Sequence, residues 1–136
     1  MDKVVVDSSV WVDFFNKKKS DEIDTLKKWM EQQQVVSCIY VLPVIYQEVL
    51  QGIKEDKLYN LVKEVRQGFN FPDFNLYEAA ENAAAIFRKL QRKEITIRKQ
   101  NDCLIAAICI MLDFKLMHKY RDFDNIENHT SLKIYK

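Results

Sequence analysis

The sequence predicts an α/β fold in which a short, mainly parallel β-sheet is flanked by helices. Strand-like and helix-like segments alternate along the chain, as they do in βαβ units. Hydrophobic residues make up 48% of the 136 residues, with only two Gly and two Pro, which disfavours a disordered chain and a turn-rich all-β domain. No internal repeat or low-complexity linker is present, so we expect a single domain over residues 1–136.

Two strands and four helices are predicted in the first half of the chain. Residues 3–6 form a β-branched strand that stops at Asp7, and residues 35–40 are a second strand candidate. The predicted helices cover residues 10–16, 20–30, 43–53 and 54–67. Pro43 suits the first turn of its helix, and Gly68 suits the position that follows the end of a helix.

The second half of the chain is predicted to contain three helices and two further strands. Residues 69–75 are aromatic and extended, and Pro72 limits them to an edge strand at best. The helices cover residues 78–92, 98–114 and 122–128, and the strands cover residues 115–118 and 133–135. Ligands of a parallel sheet bind beyond the carboxyl ends of its strands, so acidic residues at those ends are the candidates for a site.

The charges are nearly balanced, which excludes recognition by overall charge. Lys and Arg number 21 and Asp and Glu number 20, so the formal net charge is +1. A nucleic-acid partner would therefore need a local basic surface.

The cysteines and the hydropathy pattern predict a soluble, cytoplasmic protein without a membrane partner. Cys38, Cys103 and Cys109 form no CxxC pair, and their odd number fits no closed disulfide framework. The N-terminal residues, MDKVVVDSSV, lack the long apolar segment of a signal peptide. The longest apolar run, residues 103–112, is about half the length of a membrane-spanning helix.

Four acidic residues are candidates for a site at the carboxyl ends of the strands. Asp7 ends the first strand, and Glu48 lies at the margin of the apolar face of its helix, one turn before Gly52, whose missing side chain leaves space. Asp102 precedes an apolar run that surrounds its whole helix, and Asp122 follows the strand at 115–118. Together they predict a cluster of carboxylates at one edge of the sheet.

Each of these acids also has a structural interpretation. Asp7 is a favoured N-cap residue, although Ser8 could cap the same helix, and Asp122 could cap the segment after it. Glu48 could be solvated, since Glu is seldom buried unpaired. Asp102 could be stabilised by its helix N-terminus or by Arg98 one turn earlier. Asp124, close to Asp122, is expected to face solvent.

Clustered carboxylates favour a hard divalent cation. Neighbouring carboxylates raise one another's pKa unless a cation neutralises them. Oxygen-only ligands select Mg²⁺ or Mn²⁺ over zinc, and no His/Cys spacing supports a zinc site. Neither GxGxxG nor GxxxxGKS/T is present, which excludes these nucleotide-binding loops.

Four stretches of the chain resemble, in order and spacing, the PIN-domain ribonucleases and specifically the VapC toxins of bacterial toxin–antitoxin pairs. They are VVVDSSVWVDFF, VIYQEVLQGI, TIRKQNDCLIAAICI and HKYRDFDNIENHTSLKIY. The resemblance covers nearly the whole chain. It implies a PIN-like fold and a Mg²⁺-dependent endoribonuclease, with Mn²⁺ as a substitute ion and tRNA or another structured RNA as a candidate substrate. It also implies a VapB-type antitoxin as a partner, and a homodimer.

The resemblance also assigns roles to individual residues. Asp7, Glu48 and Asp102 match the first three acids of the family, with Asp7 and Asp102 as the direct Mg²⁺ ligands. Ser9 matches a hydroxyl residue beside the first Asp, and Asp122 is the acid of the last motif. The implied catalytic set is therefore Asp7, Glu48, Asp102 and Asp122.

The last motif departs from the pattern of the family at Tyr120. Similar toxins carry DxDF there, and in this chain Tyr120 stands two residues before Asp122 in place of the first acid. Tyr is neutral near pH 7 and a poor Mg²⁺ ligand. A second metal position is therefore expected to be weakened or absent.

Basic and aromatic residues are the candidates for macromolecular contacts. Substrate phosphates could be bound by two basic clusters, with Arg92, Lys93 and Arg98 as the leading candidates, or these could be ordinary solubilising charges. The clusters comprise Lys17, Lys18 and Lys19, and then Arg88, Lys89, Arg92, Lys93, Arg98 and Lys99. The dense aromatic group Trp11, Phe14, Phe15 and Trp29 is expected mostly in the core, and the resemblance implies that part of it lines an antitoxin groove.

Two alternative functions stay open at this level. The first is a catalytically weakened PIN domain that binds RNA or its antitoxin without efficient cleavage, which the departure at Tyr120 favours. The second is a receiver-like signalling domain. The sequence argues against that second alternative, because Asp7 is followed by Ser8 and Ser9 and not by a second acid.

Overall fold

A computed structural model describes residues 2–136. Its sheet has four strands in the order β2-β1-β3-β4, and every pair of neighbours is parallel. The strands are β1 (Val4–Val6), β2 (Ile39–Tyr40), β3 (Lys115–Met117) and β4 (Lys133–Ile134). The prediction of a short, mainly parallel sheet flanked by helices is therefore confirmed.

Eight α-helices surround this sheet in residues 2–136. They are α1 (Ser8–Phe15), α2 (Asp21–Met30), α3 (Gln33–Val36), α4 (Pro43–Gly52), α5 (Asp56–Glu64), α6 (Leu76–Arg92), α7 (Gln100–Leu112) and α8 (Arg121–His129), and a 3₁₀ turn at Val65–Gly68 follows α5. The apolar helix α7 has 13 residues. No helix of the described residues has both the length and the apolar character required to cross a bilayer.

Helices α2 and α6 begin where a polar side chain accepts a hydrogen bond from a free backbone N–H group. Ser20 Oγ accepts a hydrogen bond from Ile23 N at 3.2 Å, and Asn75 Oδ1 accepts one from Glu78 N at 3.0 Å. The cap at Asn75 explains why α6 begins at Leu76, two residues before the predicted start. Helix α7 ends at Asp113, which adopts a left-handed conformation with φ of 56°.

The core contains both the central strand β1 and the apolar helix α7. All three residues of β1 are fully buried, and Ile105, Ala106 and Cys109 of α7 are equally buried. These residues are apolar and form one continuous cluster, so their burial supplies the hydrophobic free energy that fixes the sheet. The same packing fixes the position of Asp7, the residue after β1, and of Asp102 near the start of α7.

The prediction of a strand over residues 35–40 is wrong for residues 35–38. Val35 N and Val36 N each donate to Gln32 O at 2.9 Å, which forms the short helix α3. Only Ile39–Tyr40 pairs with β1. A β-branched run predicts a strand from local preference, but the position of β1 leaves room for pairing over only two residues.

The segment 69–75 forms a single parallel bridge to the sheet, between Asn70 and Tyr40. The Asn70 side chain also donates to the carbonyl oxygens of Val36, Ser37 and Ile39 at 3.0–3.2 Å. The segment thus closes the edge of β2 without becoming a strand, which agrees with the limit that Pro72 predicted.

Candidate active site

Three buried carboxylates lie at the carboxyl ends of the parallel strands. Asp7 is 2% exposed, Asp102 4% and Asp122 6%, and with Ser8 they are the buried polar or charged residues of the described chain. Asp7 follows β1, and its backbone N–H donates to Met117 O of β3 at 2.9 Å. Asp102 and Asp122 stand in the first turns of α7 and α8. Strand order and helix entry therefore bring them to one edge of the sheet, as the sequence predicted.

Asp7 is the N-cap of α1. Its Oδ2 accepts hydrogen bonds from Ser9 Oγ at 2.6 Å and from Ser9 N at 3.3 Å. Both bonds fall on Oδ2, which orients the carboxylate while leaving Oδ1 outside them. The capping interpretation and the functional interpretation of Asp7 are therefore compatible, because the capping hydrogen bonds use only one of its two oxygens.

Glu48 reaches the same edge from α4. It is half-buried, and its Oε1 accepts a hydrogen bond from Ser8 Oγ at 3.1 Å. The two helices approach closely at Gly52, where a Cβ atom would lie 2.8 Å from Cγ2 of Val12. The space at Gly52 is thus filled by Val12 and does not receive Glu48, which corrects the sequence-based expectation.

The carboxyl of Asp102 has a strongly raised pKa. Its pKa is raised from 3.8 to about 7, chiefly by burial and then by the charge of Asp7, while Lys99 acts in the opposite direction. The charges of Asp122 and Glu48 add smaller effects in the same direction as Asp7. Asp102 therefore senses all three other acids, and near neutral pH its carboxyl is held only partly ionised.

Asp122 binds the segment that precedes α7. Its Oδ2 accepts from Arg98 N at 3.2 Å and from Arg98 Nε at 3.4 Å. Arg98 therefore pairs with Asp122 and not with Asp102, and Asp122 caps no helix of its own. Asp124 is exposed as expected, and its Oδ1 lies 3.4 Å from Nε2 of His118.

A cavity of about 190 Å³ opens beside these acids. It is lined by Arg98, Lys99, Asp102, Tyr120 and Asp122. Two cationic side chains and one aromatic ring thus stand around the two carboxylates. Among the predicted substrate contacts, Arg98 lies at this cavity.

The other predicted substrate contacts lie elsewhere. Arg92 and Lys93 are exposed at the end of α6 and line a separate basic surface, while Ser9 is bound to Asp7. Among the first lysine cluster, Lys18 lies 3.8 Å from Asp13. The structure therefore brings Arg98 and Ser9 to the acids and leaves Arg92 and Lys93 outside the cavity.

The donor atoms fit a divalent cation such as Mg²⁺, but they do not form a closed cage. Among residues 2–136, no three His, Cys, Asp or Glu side chains are grouped so that they could hold a metal ion together. Mg²⁺ is commonly held by one or two carboxylates, with water and phosphate oxygens completing its shell. Burial and the neighbouring acids both disfavour the ionised form of Asp102, and a bound cation would favour it.

Two contacts at this site were missed in the sequence. Ser8 holds Glu48 from 40 residues away, and the adjacent serines give only a general capping signal. Lys119 Nζ donates to Asp13 Oδ2 at 2.6 Å, which ties the end of α1 to the segment before Tyr120. Neither partner could be chosen from spacing, because each contact joins elements that are distant in sequence.

The aromatic residues of α1 and α2 pack at two separate places. Trp11, Phe14 and Phe15 pack together with Phe69, with ring centroids 5.4–6.1 Å apart. Trp29 packs instead against Tyr135, at 4.8 Å. Both tryptophans are buried, so their prediction as core residues is confirmed.

The chain is similar in sequence to curated proteins that are named as ribonucleases. VapC ribonuclease Mb1587 of Mycobacterium bovis and ribonuclease VapC11 of Mycobacterium tuberculosis are each 29% identical to it over 132 residues. Each alignment covers 96% of this chain and 96% of the relative.

Solved toxin–antitoxin structures share the fold. VapBC2 from Rickettsia felis, bound to a promoter DNA fragment, matches with a TM-score of 0.72 and 17% identity, over 97% of this chain and 96% of that chain. DNA-bound VapBC from Salmonella typhimurium matches with a TM-score of 0.74 and 16% identity, over 99% and 98%.

A protein-family model matches most of the chain. The family model described as PIN domain matches residues 4–128, which include all four acids. This match confirms the resemblance that the sequence motifs indicated, and the chain belongs to the PIN domain family.

Proposed function

We propose that this protein is the toxin of a type II toxin–antitoxin pair and that it is a Mg²⁺-dependent endoribonuclease, with Mn²⁺ as a substitute ion. Residues 1–136 would act as one domain that hydrolyses phosphodiester bonds of RNA, with tRNA as the first substrate to test. The relatives named VapC ribonuclease and the family match support this proposal, and they argue against the receiver-like alternative. The comparisons do not favour the catalytically weakened alternative.

The observation that carries the proposal is the burial of three carboxylates at one edge of the sheet, close enough for two of them to raise the pKa of the third. A buried, unpaired carboxylate costs several kcal/mol, and neighbouring anions increase that cost. Arg98 compensates Asp122, whereas burial and, after it, the charge of Asp7 raise the pKa of Asp102 to about 7. A chain that retains such an arrangement must gain from it when a cation and a substrate are bound.

In the proposed mechanism Asp7 and Asp102 hold the metal ion. When bound, the ion supplies Lewis-acid polarisation of a phosphoryl oxygen and a more acidic water. Ser9 fixes the Asp7 carboxylate, and loss of the proton from Asp102 accompanies binding of the cation. Burial of both carboxylates excludes competing water from these ligands.

The remaining two acids orient the reacting groups. Ser8 holds Oε1 of Glu48, so the other oxygen can position the attacking water or accept its proton. Asp122 fixes the backbone of Arg98, so that the Arg98 side chain stays beside the cavity where a substrate phosphate would lie. Asp122 thus acts as a positioning residue.

The partners follow from the same proposal. RNA would be bound by Arg98 at the cavity and by Arg92 and Lys93 along the end of α6. A VapB-type antitoxin and a homodimer are part of the proposal, and the activity requires a compartment with RNA, which is the cytoplasm.

Arg92→Ala should weaken RNA binding and reduce its salt dependence. An unchanged dependence of RNA affinity on salt concentration would remove Arg92 from the contact surface.

The proposal is tested by cleavage of RNA with purified protein. The protein should cut RNA from a bacterial extract in Mg²⁺ or Mn²⁺ and should lose this activity in EDTA, with fragment ends mapped by sequencing. Equal cleavage in EDTA would contradict metal dependence, and no cleavage with either ion would contradict the enzymatic role. Growth arrest that is relieved by a short open reading frame immediately upstream would test the toxin role separately.

A further inference from the structure

Tyr120 combines an exposed aromatic ring with two cations at the mouth of the acidic cavity. The residue is 38% exposed, and the cavity that it lines also contains Arg98, Lys99 and Asp102. Lys99 Nζ lies 4.8 Å from the centroid of the Tyr120 ring, a cation–π distance. Tyr120 is thus a large, accessible apolar surface directly beside buried carboxylates.

The fold does not require this ring. Tyr120 is the N-cap residue of α8, yet its side chain makes no capping hydrogen bond. Its backbone position is fixed instead by His118, whose Nδ1 accepts from Tyr120 N at 3.1 Å. The backbone is therefore held independently of the side chain, and the part of the ring that Lys99 leaves exposed can contact a ligand.

An aromatic ring flanked by cations is the usual means of binding single-stranded nucleic acid. Every base has a face that can stack on an aromatic ring, while Lys and Arg bind the adjoining phosphates. At this cavity a stacked base would bring its own phosphate towards Arg98 and Lys99. A base stacked in this way would also place the neighbouring phosphodiester near Asp102, which lines the same cavity.

We propose that Tyr120 is a nucleobase-stacking residue, which together with Lys99 binds an unpaired nucleotide next to the scissile phosphate. This inference rests on the proposed ribonuclease function and adds to it a residue that contacts a base of the substrate. Bases within a duplex are already stacked on their neighbours, so the ring selects a single-stranded segment or a loop. Tyr120 therefore contributes substrate selection at a position where an acid would contribute metal binding.

The test compares oligonucleotides with and without bases. Binding of a short single-stranded oligoribonucleotide, and of an abasic oligomer of the same length, is measured by fluorescence anisotropy in Mg²⁺. Every protein carries Asp7→Asn to prevent cleavage. The variants are Tyr120→Leu, Tyr120→Phe and Lys99→Ala, with Tyr77→Leu as the matched control because Tyr77 is 84% exposed on α6 and lies outside the cavity lining.

Tyr120→Leu should weaken binding of the base-containing oligonucleotide about tenfold and leave the abasic oligomer unchanged. Tyr120→Phe and Tyr77→Leu should change neither, whereas Lys99→Ala should weaken both. Equal loss of both oligomers with Tyr120→Leu would overturn the proposal in favour of an indirect effect through Lys99. No preference of the Tyr120-containing protein for bases would also overturn it.

This experiment is independent of the cleavage assay. If the unsubstituted protein cuts RNA but Tyr120→Leu shows no selective loss, the stacking role fails and the ribonuclease function stands. If no RNA is cut although Tyr120→Leu selectively loses base binding, the enzymatic proposal fails and the nucleotide-binding role stands. Thermal unfolding of each variant monitors its folding.

Discussion

Acidic residues at the two ends of the parallel sheet differ in their exposure to solvent and in their ion pairing. At the amino ends, Asp2 pairs with Lys115 at 2.9 Å and Asp113 pairs with Lys133 at 2.8 Å. The two carboxylates there are 72% and 78% exposed. Lys115 lowers the pKa of Asp2, and Asp113 raises the pKa of Lys133, as expected of ordinary ion pairs. Each charge at this end is both solvated and partnered.

At the carboxyl ends the acids are buried and scarcely compensated. Asp7 and Asp102 are at most 4% exposed, and of the buried acids only Asp122 has an Arg or Lys within ion-pair distance. Exposed pairs contribute little to stability, whereas burial of a poorly compensated carboxylate is unfavourable. The difference between the ends therefore distinguishes the proposed site better than the number of charges does.

The largest effect is expected from Asp7→Asn. The substitution preserves the shape of the side chain but removes a charge that would hold the cation, so Mg²⁺-dependent RNA cleavage should fall about a thousandfold. Asp113→Asn, at the opposite end of the sheet, is the matched control and should cleave normally. Full activity of Asp7→Asn in a single-turnover assay would remove Asp7 from the metal site.

The second prediction concerns the stability of the metal-free protein as a function of pH. The raised pKa of Asp102 means that the folded protein binds this proton more tightly than the unfolded chain. Its contribution to stability is complete below about pH 4 and is lost as the pH rises to about 7.

Asp102→Asn should therefore be more stable than the unsubstituted protein by about 4 kcal/mol above about pH 8, and this difference should vanish near pH 4. Urea denaturation in EDTA at several pH values measures it. A difference that does not change with pH would show that Asp102 is not the group whose ionisation is suppressed.

The third prediction tests the close contact that positions Glu48. In Gly52→Ala the new Cβ would lie 2.8 Å from Cγ2 of Val12. A β-branched side chain has little freedom to move, so unfolding free energy should fall by about 2 kcal/mol and cleavage should decrease. Gly68→Ala is the control, since nothing lies within 4 Å of its Cβ position. Adding Val12→Ala should restore part of the lost stability, and no rescue would mean that the helices adjust elsewhere.

A smaller effect is expected from Tyr120→Asp in the absence of RNA. The substitution adds a carboxylate beside Asp102 and Asp122, so the affinity for Mn²⁺ should rise about tenfold, as measured by calorimetry. An unchanged affinity would mean that Asp122 already satisfies the ion. The same variant should bind RNA more weakly if Tyr120 stacks on a base, so the two measurements separate the two roles of this position.

The smallest effect is expected at the amino ends of the strands. Asp113→Asn removes the pairing charge for Lys133 while keeping a residue that tolerates the left-handed conformation at φ of 56°. The Tm should change by no more than about 2 °C. A larger loss would show that the contrast between the two ends is weaker than their exposure indicates.

Local pattern was sufficient to predict much of the fold. The β-branched run at β1 and the apolar run at α7 are strong signals because both elements are buried on nearly all sides. The pattern failed at residues 35–38, where the same β-branched preference is overridden by turn-like hydrogen bonds to Gln32 O. Strand length there depends on the register with β1, which no local preference contains.

The site was predicted to a similar extent. The four acids and their common edge followed from the order of strands and helices, but their partners did not. A pair between Arg98 and Asp102, four residues away, was one of the alternatives left open by the sequence, and Arg98 pairs with Asp122 instead. Trp29 was grouped with Trp11 because they are close in sequence, although their helices direct them to different neighbours.

The sequence by itself determined the class of fold, the buried helix and the acids at the carboxyl ends of the strands, because alternation, periodicity and chain order are local properties. Only the tertiary structure decided that Ser8 holds Glu48, that Arg98 binds Asp122, and that burial beside Asp7 raises the pKa of Asp102 to about 7. These features depend on desolvation and on distances between elements far apart in sequence, which are established only when the elements pack together.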